Sequence, residues 1–218
     1  MKTKFLFLVM LFVVLKSHSQ DSINSTFINQ DSVVQRIDTS EIDTATTDEA
    51  LLPEHYLFTQ RILWSEHGLM RNFDTFKLSK ESRNLEMNIR SISMTAHEYL
   101  GYASLLGMVG TAITGQKLYT GDSRNKDLHE GLAGFTNICY FSTAALGLFQ
   151  PPPMHNRESG FTKLRIHRTL SVIHLTSMIA TNVLSGMMEH NAQLRPYHKA
   201  AAITAFSSLF LATVVIKL

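Results

Sequence analysis

From residue 93 onward the chain alternates between long apolar runs and short polar breaks, whereas polar positions dominate the part before residue 92. The runs cover 93–115, 128–149, 164–187 and 197–216. Each is close to the ~20 residues that cross ~30 Å of hydrocarbon as a helix. No proline lies inside any run: Pro151-Pro152-Pro153 closes the second, and Pro196 precedes the fourth, at the first-turn position where a missing amide costs little. Short connections make sequential neighbours antiparallel, so the pattern predicts an all-α fold: an integral membrane antiparallel four-helix bundle over 93–218. Ser79-Lys80-Glu81-Ser82 reads as a helix start, and Leu85, Ile89 and Ile92 continue at helical spacing into the first run. The first helix is therefore expected to begin well before the bilayer.

The N-terminal residues give an address. Lys2 and Lys4 precede an apolar core over 5–15, and Ser17-His18-Ser19 supplies small residues where a signal peptidase cuts, so 1–19 reads as a signal peptide. Residues 20–53, rich in Ser, Thr, Asp, Asn and Gln, read as a flexible exported tether. Residues 54–92 form an amphipathic juxtamembrane region with the only tryptophan, Trp64. Beside a membrane segment, a Trp with nearby basic residues reads as an interfacial anchor, a docking surface for a redox partner being the alternative. Export of the N-terminal segment places it and the C-terminus outside the cytoplasm of a bacterial-type inner membrane. Basic residues fall on both sides, with Lys117, Arg124, Lys126 and Arg195 in the inner loops and Arg157, Lys163 and Arg165 at the outer one, so orientation rests on the signal peptide.

Composition narrows the function. A formal charge of +2, with no basic stripe interleaved with aromatics, speaks against nucleic acid as a partner. The single cysteine, Cys139, rules out an intramolecular disulfide and reads as a small packing residue in the second run. There is no Cys-x-x-Cys-His for covalent haem, no glycine-rich phosphate loop and no nucleophile elbow.

The chemistry lies in histidines. Every apolar run carries near its start a histidine followed by a charged residue: His97-Glu98, His129-Glu130, His167-Arg168 and His198-Lys199. Four residues on, one helical turn along the same face, stand Gly101, Ala133, Ser171 and Ala202, which leave room for something flat. The same small residues exclude the zinc-protease motif, which needs a second histidine there. In the predicted topology His97 and His167 share the outer level, and His129 and His198 the inner level. Two such pairs suit two non-covalent b-type haems with both axial positions filled. His174, seven residues past His167 on the same face, is the alternative outer ligand; His167 is preferred because the other three ligands also sit near helix starts. Arg165 and Arg168 bracket His167 and suit haem propionates. The charges beside the ligands also match in sign, Glu98 with Arg168 and Glu130 with Lys199. His190 falls in the loop before Pro196, His18 leaves with the signal peptide, and His55, His67 and His155 read as exposed.

In helix count and histidine placement, residues 93–217 resemble the cytochrome b561 family, four-helix membrane cytochromes with one haem near each face. The resemblance implies ligands from alternate helices, His97 with His167 and His129 with His198, and transmembrane electron transfer as a carrier or oxidoreductase subunit. An exported N-terminal segment departs from that family, so its electron donor is not carried over. Quinol and an exported redox protein are the expected partners, alongside the lipid bilayer. The competing class is a non-redox membrane protein, a transport or assembly accessory whose histidines bind a metal ion or serve structure.

Overall fold

The computed structural model describes residues 51–154 and 162–218. The expected signal peptide, the tether up to residue 50, His155 and Arg157 lie outside the described residues. Among the described residues every regular element is helical: α1 (Phe58–Trp64), α2 (Lys80–Tyr119), α3 (Lys126–Phe149), α4 (Lys163–Met188) and α5 (Arg195–Lys217), with short 3-10 turns between them. The second, third and fourth apolar runs coincide with α3, α4 and α5 to within two residues at each end.

The helix boundaries follow from local chemistry. Ser79 caps α2, its hydroxyl accepting from the Ser82 amide at 3.1 Å while the Ser82 hydroxyl accepts from the Ser79 amide. From there α2 runs for 40 residues without a break, so the expected juxtamembrane region passes into the first apolar run within one helix. Thr162 caps α4 through the Arg165 amide at 3.3 Å. Pro196 sits in the first turn of α5, as its missing amide requires.

Three helices are long and apolar enough to cross a bilayer: α3 and α5, each with its preceding turn, and α4. Here the expectation of four equivalent runs departs from the structure, because α2 falls short of that apolarity. Its uncharged stretch over 99–116 is diluted by Tyr99, Tyr102, Ser104, Thr111, Thr114 and four glycines. The three hydroxyls at 104, 111 and 114 bond back to the carbonyls of Leu100, Gly107 and Gly110 at 2.7–3.0 Å, which lowers the cost of holding them in an apolar setting.

α2 packs against α3, and α4 against α5, as two antiparallel hairpins. The hairpins meet along α2 and α5, and across α3 and α4 they are joined by long side chains. Tyr140 reaches His174 at 2.5 Å, and Asn137 and Asn182 exchange amide hydrogen bonds at 2.7 and 3.1 Å. A central layer of Met108, Tyr140, Met178, Ala205 and Leu209 closes the space between the hairpins midway along their length. Outward surfaces carry the large apolar side chains, among them Leu106, Ile138, Val172, Val183 and Ile203. That distribution inverts the arrangement of a water-soluble helical domain.

Residues 57–90 close one end. α1 lies across the C-terminus of α3, where helix carbonyls lack intrahelical partners. The Thr59 hydroxyl donates to Leu148 O, the Gln60 amide to Gln150 O at 3.2 Å, and the Trp64 indole to Phe149 O at 2.9 Å. Trp64 is 5% exposed and stacks edge-on against Phe76, so it holds the cap to α3; the interfacial-anchor reading and the docking-surface reading both required it to be outside. Beneath it the fully buried Glu86 carboxylate accepts from both Arg71 and Arg83. The triproline segment, whose extended backbone has no internal hydrogen bonds, offers all three carbonyls: Arg90 donates to Pro151 O at 2.6 Å, and Arg83 to Pro152 O and Pro153 O at 3.1 and 3.2 Å.

Candidate functional site

The four expected histidines share one geometry. His97 on α2 donates from Nδ1 to Thr143 O on α3 at 2.8 Å, and His129 on α3 returns the arrangement to Thr111 O on α2 at 3.0 Å, with the Thr114 hydroxyl at 3.2 Å. In the second hairpin His167 on α4 donates to Ala212 O on α5, and His198 on α5 to Thr181 O on α4, both at 3.0 Å. A carbonyl can only accept, so each ring carries a proton at Nδ1 and turns its Nε2 edge away from that carbonyl. Metal-binding histidines have this habit: the second nitrogen is tied to a carbonyl, which fixes tautomer and ring orientation.

The two hairpins repeat each other in register. His97 and Thr111 on α2 are spaced as His167 and Thr181 on α4, and His129 and Thr143 on α3 as His198 and Ala212 on α5. An approximate two-fold relation therefore pairs α2 with α4 and α3 with α5, which pairs His97 with His167 and His129 with His198. At the capped end the His97 and His167 rings stand 6.3 Å apart, centre to centre, with their planes at 71°. At the far end His198 lies within electrostatic range of His129.

A cavity of 550 Å³ occupies the gap between hairpins at the capped end. His97, His167 and His174 line it, with Gly101, Tyr140 and Leu209 toward the central layer and Gln60, Arg90, Arg168 and Lys217 among the polar residues. Arg168 is among the lining residues and Arg165 is not. His174 borders the cavity, but its Nδ1 is taken by the Tyr140 hydroxyl from α3, and its ring centre lies 5.6 Å from that of Tyr140. It lacks the carbonyl tether that the other four rings share.

The charges expected to complement each other have different partners. Glu98 accepts from Lys217 at 2.5 Å and from the Tyr102 hydroxyl at 3.0 Å, where the sequence matches it with Arg168. Glu130 lies 3.7 Å from Lys126 on its own helix, while Lys199 donates to the Gln116 amide oxygen and stands 4.4 Å above the Tyr119 ring. Both lysines join α5 to α2, a contact between the first and last long helices. Arg90 and Lys217 are cavity residues that sequence reasoning passes over. Arg90 had a signal, since it lies two helical turns before His97 on the same face. Lys217, at the end of the last apolar run, had none.

Among the described residues, no three His, Cys, Asp or Glu side chains converge as a bare metal ion would need. Comparison with protein-family models, with curated proteins and with solved structures finds no match to this chain.

Proposed function

We propose that the chain is a membrane electron carrier, a four-helix bundle that holds two b-type haems, one near each face of the bilayer. The observation that carries the reading is the common tether of four histidines, arranged as two pairs by the repeat of the hairpins. His97 and His167 stand 6.3 Å apart, centre to centre, and both line the cavity. The cavity beside them lies within the ordinary range for cofactor pockets.

In this reading His97 and His167 would hold the haem at the capped end, and His129 and His198 the one at the far end. Bound in these places, haem supplies a one-electron iron couple with no open coordination position. The protein's residues set its conditions. Thr143, Ala212, Thr111 and Thr181 orient the ligands through their carbonyls. Arg168, with Arg90 and Lys217 beside the same cavity, offers cationic donors to carboxylates. The Tyr140 layer keeps water from passing between the two sites. α2 crosses the membrane beside the three more apolar helices, with its hydroxyls turned back onto its own backbone and its charged first part in the aqueous cap. The bilayer is a bacterial-type inner membrane with the capped end outward, and the electron partners are quinol and an exported redox protein.

Redox titration of the purified full chain tests this. Two one-electron components are expected, and the absence of any haem-derived absorbance change overturns it.

A further inference from the structure

Two glycines stand against the histidines of the first hairpin. A Cβ added at Gly147 on α3 would lie 3.1 Å from His97 Cε1 and 3.2 Å from Nδ1. At Gly115 on α2 it would lie 2.8 Å from His129 Cε1 and 3.2 Å from Nδ1. Carbon atoms in favourable contact keep about 3.5–4.0 Å apart, so a methyl group at either position has to push the ring. Gly131 and Gly134, on the same apolar helix α3, would meet nothing within 4 Å.

The placement has a geometric cause. Gly147 follows the Thr143 carbonyl by four residues, and Gly115 follows Thr111 by four. Because a helical Cβ leans toward the N-terminus, a side chain four residues on lies beside the carbonyl and narrows the space in which a ring from a neighbouring helix can settle. Glycine leaves that carbonyl bare, and the imidazole settles edge-on into the space. In the second hairpin the corresponding positions, four residues past Thr181 and Ala212, are Ser185 and Ile216. The two hairpins therefore hold their histidines by the same hydrogen bond but with different clearance.

We infer that Gly115 and Gly147 are positioning residues that set the imidazole planes of His129 and His97, and so tune each haem separately. The inference rests on the haem reading above. Low-spin iron between two imidazoles has a magnetic anisotropy that depends on the angle between the ring planes, so a rotated ring is visible without any activity measurement.

The test is low-temperature electron paramagnetic resonance on the purified, haem-loaded full chain, comparing wild type with Gly147→Ala, Gly115→Ala and Gly134→Ala. Gly147→Ala is expected to shift the low-field signal of the His97–His167 haem, or to lose that haem, while the other signal stays. Gly115→Ala is expected to do the converse, and Gly134→Ala to leave both signals in place. Each variant's untouched haem reports that the chain is folded. Unchanged spectra in both glycine variants, or loss of both haems in both while Gly134→Ala keeps them, would overturn the inference and leave the haem reading standing. A wild type that takes up no haem removes the reading and the inference together.

Discussion

The capped end and the far end hold their histidines alike, but their surroundings differ. At the capped end His97 and His167 line a cavity together with Gln60 of α1 and Arg90, and the same end carries the triproline segment and the buried Arg71–Glu86–Arg83 group. At the far end the connections are short 3-10 turns carrying exposed charges, such as the Asp122–Arg124 pair at 2.9 Å. On the proposed reading ligand type and tether are the same at both ends, and solvent access and nearby charge are two levers that would set the haem potentials apart. The repeated hairpin thus presents two like pairs of tethered histidines, and the unrepeated N-terminal segment gives them unlike surroundings.

The sharpest way to break the comparison is to remove ligands. His97→Ala and His167→Ala are each expected to abolish one and the same spectral component, and His129→Ala and His198→Ala the other, read by redox-poised optical spectra. His174→Ala is expected to keep both components. If it removed the component that His97→Ala removes while His167→Ala did not, His174 would take over as the capped-end ligand.

Next in size is the cap. Glu86→Gln leaves Arg71 and Arg83 buried without their counter-charge, and breaking a buried pair in this way costs about 3–5 kcal/mol. Thermal unfolding is expected to shift down by that amount, with the capped-end spectrum lost before the far-end one. Equal loss at both ends would show that the cap stabilises the whole helical assembly and not one site. Trp64→Phe removes the bond to the Phe149 carbonyl and leaves a buried acceptor unpaired, a change of about 1–3 kcal/mol that should be confined to the same end.

The far-end loop gives the smallest effect. The Arg124 guanidinium holds the Asp122 carboxyl below the usual carboxylate range. A lowered folded-state value contributes stability above the ordinary carboxylate pKa, and the contribution fades as pH falls through the lowered value. Asp122→Asn is therefore expected to leave the neutral-pH thermal midpoint nearly unchanged and to flatten its decline on acidification.

What the sequence discloses here is what short-range chemistry dictates. Ser79 and Pro196 mark helix starts, the triproline marks an end, and apolar runs locate α3, α4 and α5, because each of these signals acts within a turn or a helix length. Histidine placement, at one position per helix, likewise puts His97 level with His167, whose rings stand 6.3 Å apart. Trp64 was misread because its partner, the Phe149 carbonyl, lies 85 residues away in the chain. Glu98 finds Lys217 at 119 residues' distance, past the nearer candidate Arg168. The carbonyl tethers were invisible as well, since the acceptors are backbone atoms and carry no side-chain signature. Gly147 and Gly115 carry no signal of their own in the sequence, because the histidine edges beside them come from a neighbouring helix. The first apolar run promised a helix as apolar as the rest, and its threonines and glycines turn out to serve His129 and the contact with α3 instead.

The central claim is that each chain holds two haems between paired histidines. It is tested most directly by pyridine haemochrome quantitation against protein concentration on full-length chain purified from haem-replete cells. The account predicts two non-covalent b-type haems per chain in wild type and one in His97→Ala. A wild type without haem would contradict it, as would equal haem content in the two proteins.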